Sequence, residues 1–261
     1  MSFTADADAG PRLPEVRRFE AAGFRAWPAA AVAYDGTWLI RLTAGHPAKR
    51  LNSVNPLDPG DTGHLGPRIA RAQRRFDAYG RPITFRMSPL SGPALSTHLD
   101  AEGWSRFGES LVMRLDLATA ALDRAVARIP LKDIGRFTAA AMRIRGLEPA
   151  GRAGLSEVIG SIQPTTGLFV LEEGGEPLAT LICVHDGDLA GLFELATDPA
   201  ARGRGHGRSL VLSALKWAKL GGARTAWLQV EADNAMARQL YESIGFRDVY
   251  AYHYRRPAGE P

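Results

Sequence analysis

The segment from Gly167 to Thr197 constrains the fold most. Gly167–Leu171, Leu178–Val184 and Leu189–Thr197 are short runs of apolar and β-branched residues. Glu173-Gly174-Gly175-Glu176 separates the first two and Asp186-Gly187 the last two. Asp-Gly between such runs is a hairpin signal, because a tight two-residue turn needs positive φ at both central positions. Strands joined by so few residues can pair only antiparallel, since a parallel pair needs a crossover of a dozen residues or more. A three-stranded antiparallel meander follows, and Asp198-Pro199 stops it.

Beyond Pro199 the period changes. From about Gly207, Val211, Ala214, Leu215 and Ala218 recur at helical spacing, and Gly221-Gly222 ends that helix. Thr225–Val230 is the next strand. Asp233 or Asn234 caps a second helix to about Ile244, Gly245 closes it, and Val249–Tyr254 is the last strand. Upstream, Ile129–Arg145 and Gly154–Ile162 are helical. The order α, α, βββ, α, β, α, β implies an α/β (α+β) fold, a mixed but mostly antiparallel sheet flanked by helices.

The first half repeats this plan more faintly. Trp38–Thr43 is a strand, Leu65–Tyr79 a helix with a basic outer face, Pro82–Met87 a strand, Pro93–Glu102 a helix and Glu109–Leu117 a strand. Gly103-Trp104 matches Gly245-Phe246 as the turn between last helix and last strand. The expected division is a degenerate lobe over 1–118 and a second domain over 119–261, with Ala118–Ile129 as the connection.

Composition excludes several classes. Basic and acidic residues number 32 and 28, a net charge of +4, and the 28 arginines are spread along the chain. A nucleic-acid binder gathers them in a stripe with interleaved aromatics, so no nucleic-acid partner is expected. The single cysteine, Cys183, reads as a small core residue and fits a reducing compartment. No apolar run is long enough to cross a bilayer, and Met1–Arg12 lacks the basic start and apolar stretch of a signal peptide, so the expected location is cytoplasmic, away from membranes. The six histidines show no metal-ligand spacing, so no metal is expected. The sequence carries no signal for an oligomeric state.

Arg202-Gly203-Arg204-Gly205-His206-Gly207 fits [QR]-x-x-G-x-[GA]. A pattern this loose says little alone. Its place gives it force, because it lies between a strand and the N-terminus of an amphipathic helix. There, free backbone N–H groups and the helix dipole attract phosphate, and glycines let the backbone approach an anion. Arg202, Arg204 and Arg208 add positive charge, which suits a pyrophosphate. A Walker-type loop would need Gly-Lys-Ser/Thr, which is absent, and a dinucleotide loop would follow the first strand of a βαβ unit rather than a meander.

At this point the sequence resembles the GNAT acetyltransferase superfamily over about residues 125–256. Leu195–Arg208 is similar to that family's acetyl-CoA pyrophosphate segment. Asn234–Phe246 is similar to its second cofactor segment, with Tyr241 and Gly245-Phe246 in the frequent Tyr-x-x-x-Gly-Phe. The resemblance implies a GNAT fold in which the last meander strand and the next strand splay apart around the pantetheine arm. It implies that Leu195, Ala196 and Thr197 bind the pantetheine through their backbone, that Gly203, Arg204, Gly205, His206, Gly207 and Arg208 bind the pyrophosphate with Arg202 beside them, and that Asn234 supports the arm. The first half, including Lys49–Pro56, resembles lobes of tandem GNAT proteins. It lacks the pyrophosphate pattern, and Leu99 stands where Tyr241 would, so no second cofactor site is expected.

The implied reaction moves an acetyl group from acetyl-CoA to an amine of a small molecule or protein. By the resemblance Tyr241 reaches the CoA sulfur, and a phenol there can protonate the leaving thiolate. Glu194, on the third meander strand, is the candidate base through a raised pKa. Gln229 stands where some relatives carry a basic glutamate, and Glu231 is a weaker candidate. Tyr250, Tyr252 and Tyr254 alternate along the last strand, where one face could line an acceptor pocket. Trp27, Trp38 and Trp104 read as core anchors. The rival reading is a non-catalytic acyl-CoA-binding regulator, which would need neither Glu194 nor Tyr241.

Overall fold

The first described element is a helix that the pattern above does not assign. Leu13–Ala26 (α1) has proline in its first turn, where the missing N–H has no helical partner to lose, and it ends at Trp27-Pro28. Its buried stripe is Val16, Phe19, Glu20, Ala22 and Ala26. A glutamate inside that stripe hides its amphipathic character. This computed structural model describes residues 12–259. The residues 1–11, on which the reading of the N-terminus as lacking a leader rests, lie outside them.

The first half continues with β1 (Ala31–Asp35), β2 (Trp38–Leu42), β3 (Ser53–Pro56), α2 (Leu65–Ala78), β4 (Phe85–Met87), α3 (Gly92–Ala101) and β5 (Ser105–Asp116). The second half runs α4 (Ile134–Arg145), α5 (Arg152–Gly160), β6 (Thr165–Glu173), β7 (Glu176–Asp186), β8 (Leu189–Thr197), α6 (His206–Leu220), β9 (Thr225–Glu231), α7 (Ala235–Ile244) and β10 (Arg247–Arg256). Both halves thus contain the order βββαβαβ. α4 starts at Ile134 rather than Ile129: Pro130 has no N–H, and Asp133 caps the helix by accepting from the Arg136 N–H at 2.9 Å. The strand expected over Pro82–Met87 is shorter, Phe85–Met87, and β1 and β3 are additional.

All ten strands join one sheet in the order β1-β2-β3-β4-β10-β5-β9-β8-β7-β6. β3 and β4 are parallel, as are β8 and β9, and the remaining neighbours are antiparallel. The halves exchange their last strands. β5 lies between β10 and β9, and β10 lies between β4 and β5. β5 is in register with β9 from Ser110↔Glu231 to Asp116↔Thr225, so the first half supplies the strand that completes the second half's sheet.

The helices cover this sheet in three apolar groups. One face of the second half meets α1, α4 and α5, where Phe19, Phe137, Val158, Ile182, Phe193 and Trp227 pack together. The opposite face meets α6 and α7 through Leu210, Val211, Leu215, Tyr241 and Phe246, and Cys183 is buried there. Around β2–β4, Trp38, Ile40, Phe76, Phe85 and Leu99 form the third group. Trp27 and Trp38 are buried anchors, and the partly buried Trp104 packs edge-on against Phe85 at 5.5 Å. The outer face expected of α2 is not wholly solvated: Arg68 is buried over the Trp38 ring at 4.0 Å and pairs with Asp35 and Asp61.

Candidate active site

β8 and β9 run side by side only from Leu189↔Thr225 to Leu192↔Leu228. A bulge accompanies their separation. Against β7 the register jumps from Phe193↔Ile182 to Ala196↔Thr180, which leaves one extra residue on β8. Glu194 has φ +55°, a region uncommon outside glycine. Such a bulge bends its strand. Ala196 and Thr197 stay paired with β7, and among the described residues no strand lies along their other edge.

The glycine–arginine loop closes the far end of this opening. Asp198 accepts from the Ala200 N–H at 2.8 Å and sets the turn after β8. Gly203 and Gly205 have φ of +75° and +81°, where any side chain would be strained. α6 starts at His206 with Gly205 as its cap, and its first helical bond runs from Ser209 N–H to the Gly205 carbonyl at 2.9 Å. The first-turn amides before Ser209 therefore have no helical acceptor. A Cβ on Gly207 would stand 3.1 Å from Thr197 Oγ1, so this glycine lets the helix start approach β8.

Together these elements enclose a cleft of about 650 Å³. Leu195, Ala196, Thr197, Arg202, Gly203, Gly205, His206, Gly207, Arg208 and Asn234 all line it, as do Ile144, Arg145, Met236, Ala237 and Leu240. Arg204 is in the loop but is not part of the wall. Arg208 is anchored to Ser243 Oγ at 2.7 Å. Asn234 accepts from the Ala237 N–H at 3.1 Å and so caps α7. The cleft offers amides and arginines at one end and an apolar wall from α7 at the other, which fits a phosphorylated ligand with a long amide-bearing arm.

Tyr241, expected from sequence to contact the cofactor, does not line this cleft; it is a buried core residue packed against Phe246 at 5.8 Å between ring centroids. Burial pushes its hydroxyl up to about 12. It therefore stays protonated at neutral pH.

Glu194 does not have the raised pKa expected from sequence. Burial pushes its carboxyl up, but Arg50 and Arg145 outweigh that effect and hold it below the usual carboxylate range. Arg50 pairs with Oε1, and Arg145 Nη1 lies 2.5 Å from Oε2. Arg50 is stacked over Trp27 at 4.5 Å, and Trp27 stacks on Phe193 at 5.8 Å. Neither arginine was singled out from sequence. Arg50 lies in Lys49–Pro56, and Arg145 is the last residue of α4 before Gly146, but pairing across 144 residues leaves no local signal. Gln229 accepts from the Tyr252 hydroxyl at 3.1 Å, and Glu231 is exposed at the end of β9.

The corresponding loop of the first half, between β3 and α2, has the opposite charge. Asp61 accepts from Arg68 at 2.8 Å and from the Thr37 N–H and hydroxyl at 3.0 and 2.7 Å. These bonds, Arg68 first, hold its carboxyl at about 2.

Residues 144–246 match the Acetyltransferase (GNAT) family. The chain is 26% identical over 257 residues to the N-acetyltransferase YobR of Bacillus subtilis (strain 168), across 93% of this chain and 99% of that one. Its fold is similar to a GCN5-related N-acetyltransferase from Kribbella flavida, with a TM-score of 0.71 at 16% identity over 97% of this chain and 98% of the other. It is also similar to a tandem GNAT protein from the clavulanic acid biosynthesis pathway, with a TM-score of 0.62 at 16% identity over 98% of this chain and 92% of the other. Ten strands in a mostly antiparallel sheet, a parted pair of parallel strands and a glycine–arginine helix start accord with that match, and residues 144–246 of the chain carry an acetyltransferase (GNAT) domain.

Proposed function

We propose that the protein transfers the acetyl group of acetyl-CoA directly to an amine, with the cofactor in the 650 Å³ cleft. One observation carries this reading: the opening between β8 and β9 runs into the N-terminal turn of α6, and ten of the expected cofactor residues line the same cavity. Acetyl-CoA supplies the activated thioester. The free edge of Leu195–Thr197 holds the amide arm, and the amides from Gly203 to Arg208, with Arg202, hold the pyrophosphate. Asn234, whose own oxygen is engaged in capping, supports the arm through its place at the α7 start.

In the net reaction a C–N bond forms, the C–S bond breaks, and an ammonium gives up two protons. One proton ends on the CoA sulfur and the other goes to solvent. Tyr241, protonated by virtue of its burial, is the group that delivers the first. Glu194 is not assigned to receive the second, because two guanidiniums keep it ionised and occupied; its role is to position the bulge. The buried single cysteine fits work in the reducing cytoplasm.

Calorimetric titration with acetyl-CoA, CoA and NAD, alongside thiol release over an amine panel, tests the reading. Acetyl-CoA and CoA bind, NAD does not, and thiol release depends on the amine. Failure of both CoA species to bind would overturn it.

A further inference from the structure

A second, smaller pocket of about 220 Å³ lies against β9 just past the point where β8 departs. Its floor is a row across three strands, Tyr252, Ser110 and Glu231, which are in mutual register on β10, β5 and β9. Gln229 and Tyr254 extend this floor, and Ala48, Lys49 and Arg50 of the first half cover it. Arg50 also pairs with Glu194 on β8, whose other oxygen meets Arg145 of the cofactor cleft. The two cavities therefore approach the strand opening from either side of one carboxylate. At roughly 30 Å³ per water the pocket holds about seven waters, which is room for a small molecule and too little for a folded segment.

Its charges are specific. Arg50 is taken up by Glu194. Lys49 has no carboxylate partner among the described residues. Instead its ammonium is held over the rings of Phe107 and Tyr254, at 5.3 and 5.2 Å. Gly108, at φ +60°, makes room for it, since a Cβ there would lie 2.9 Å from Nζ. Glu231, on the β9 wall, is likewise without an ion-pair partner among the described residues. One placed cation and one carboxylate on a tyrosine floor match a zwitterion. We infer that the acceptor is a small amine bearing a carboxylate, an amino acid, whose carboxylate pairs with Lys49 and whose ammonium enters past Glu231. This rests on the acetyl-transfer reading.

The test is thiol release by the full-length protein at saturating acetyl-CoA, with each α-amino acid and short ω-amino acid paired with its own amide. A charge-assisted pair of the size Lys49 offers makes the best acid about 10-fold better in kcat/KM than its amide. Lys49→Met shrinks that ratio, with the loss in KM for the acid, and Lys49→Glu reverses it. Acetyl-CoA calorimetry on the same variants reports whether the fold is intact. Equal use of acids and amides, an equal loss for both in Lys49→Met, or turnover confined to amines without a carboxylate would each overturn the inference. Those outcomes leave acetyl transfer standing, whereas loss of acetyl-CoA binding in the wild type would refute that reading itself.

Discussion

Glu194→Gln separates two roles a buried glutamate can have beside a thioester. In the structure this carboxylate neutralises Arg50 and Arg145, and the three side chains are 10%, 28% and 30% exposed. Removing one partner of a buried pair costs about 3–5 kcal/mol; with both arginines partly screened by water, roughly 2 kcal/mol is expected here. The sign of the pH dependence follows from the depressed pKa. Stability from the pairing is fully present above the unfolded carboxyl pKa near 4.5 and is lost as pH falls through the lower folded value. Urea unfolding should show the variant less stable by about 2 kcal/mol at pH 7, with the gap closing as the solution is acidified below that range. In thiol-release assays kcat should fall less than about 10-fold, because the change acts on the position of the bulge. A general base would behave oppositely, with kcat down by roughly 10²–10⁴-fold and stability unaffected. That opposite pattern would refute the positioning role.

Other outcomes follow from the same site. Arg202→Glu, on the cleft wall, should weaken acetyl-CoA binding by about 10-fold in calorimetry, whereas Arg204→Glu, off the wall, should cost only about 2–3-fold; equal effects would move the pyrophosphate along the loop. Tyr241→Phe should lower kcat by roughly 10²-fold with acetyl-CoA affinity retained, and an unaltered rate would remove its acid role. A fragment of residues 119–261 should aggregate or self-associate on size-exclusion chromatography, because without β5 both β9 and β10 present open edges. Co-expression with residues 1–118 should restore a soluble complex. A soluble monomeric fragment would show that β10 can pair with β9 in place of β5.

The second half was legible because its signals are local. The Asp186-Gly187 signal marks the β7–β8 hairpin, although its two turn residues are Gly187 and Asp188 and only Gly187 has positive φ; Gly245 closes α7 with φ +116°, and Asn234, one of the two candidates, caps it. Most of the cleft's lining was legible for the same reason, since all but Ile144 and Arg145 fall in the two segments 195–208 and 234–240. What sequence could not supply was long-range. The exchange of β5 and β10 depends on pairing between residues more than 100 positions apart, such as Val112 and Tyr250. α1 was obscured by Glu20, whose burial makes sense only with its partners in place: Arg86, and the Tyr250 hydroxyl at 2.7 Å. The direction of the Glu194 pKa likewise depended on Arg50 from the other half. A buried carboxylate alone is pushed up, and only the two arginines reverse the sign.

The strand exchange also accounts for what the first half does without a phosphate-binding loop of its own. Its α1 covers the β8–β9 face, with Phe19 6.0 Å from Trp227 between ring centroids. Its β5 fills the space between β9 and β10, and its Arg50 holds the bulge at Glu194. Lys49 and Arg50 stand over the smaller pocket, while the 650 Å³ cleft is lined entirely by the second half. On the proposed function, the two halves divide one site. Changes at Ala48 and Lys49 can alter the pocket's charge and shape without touching the residues that line the cleft, whereas changes to Arg50 release the Glu194 bulge and changes to β5 disturb the shared sheet, and either reaches both cavities. If the smaller pocket takes the acceptor as proposed above, the half without the glycine–arginine loop is where acceptor preference can vary.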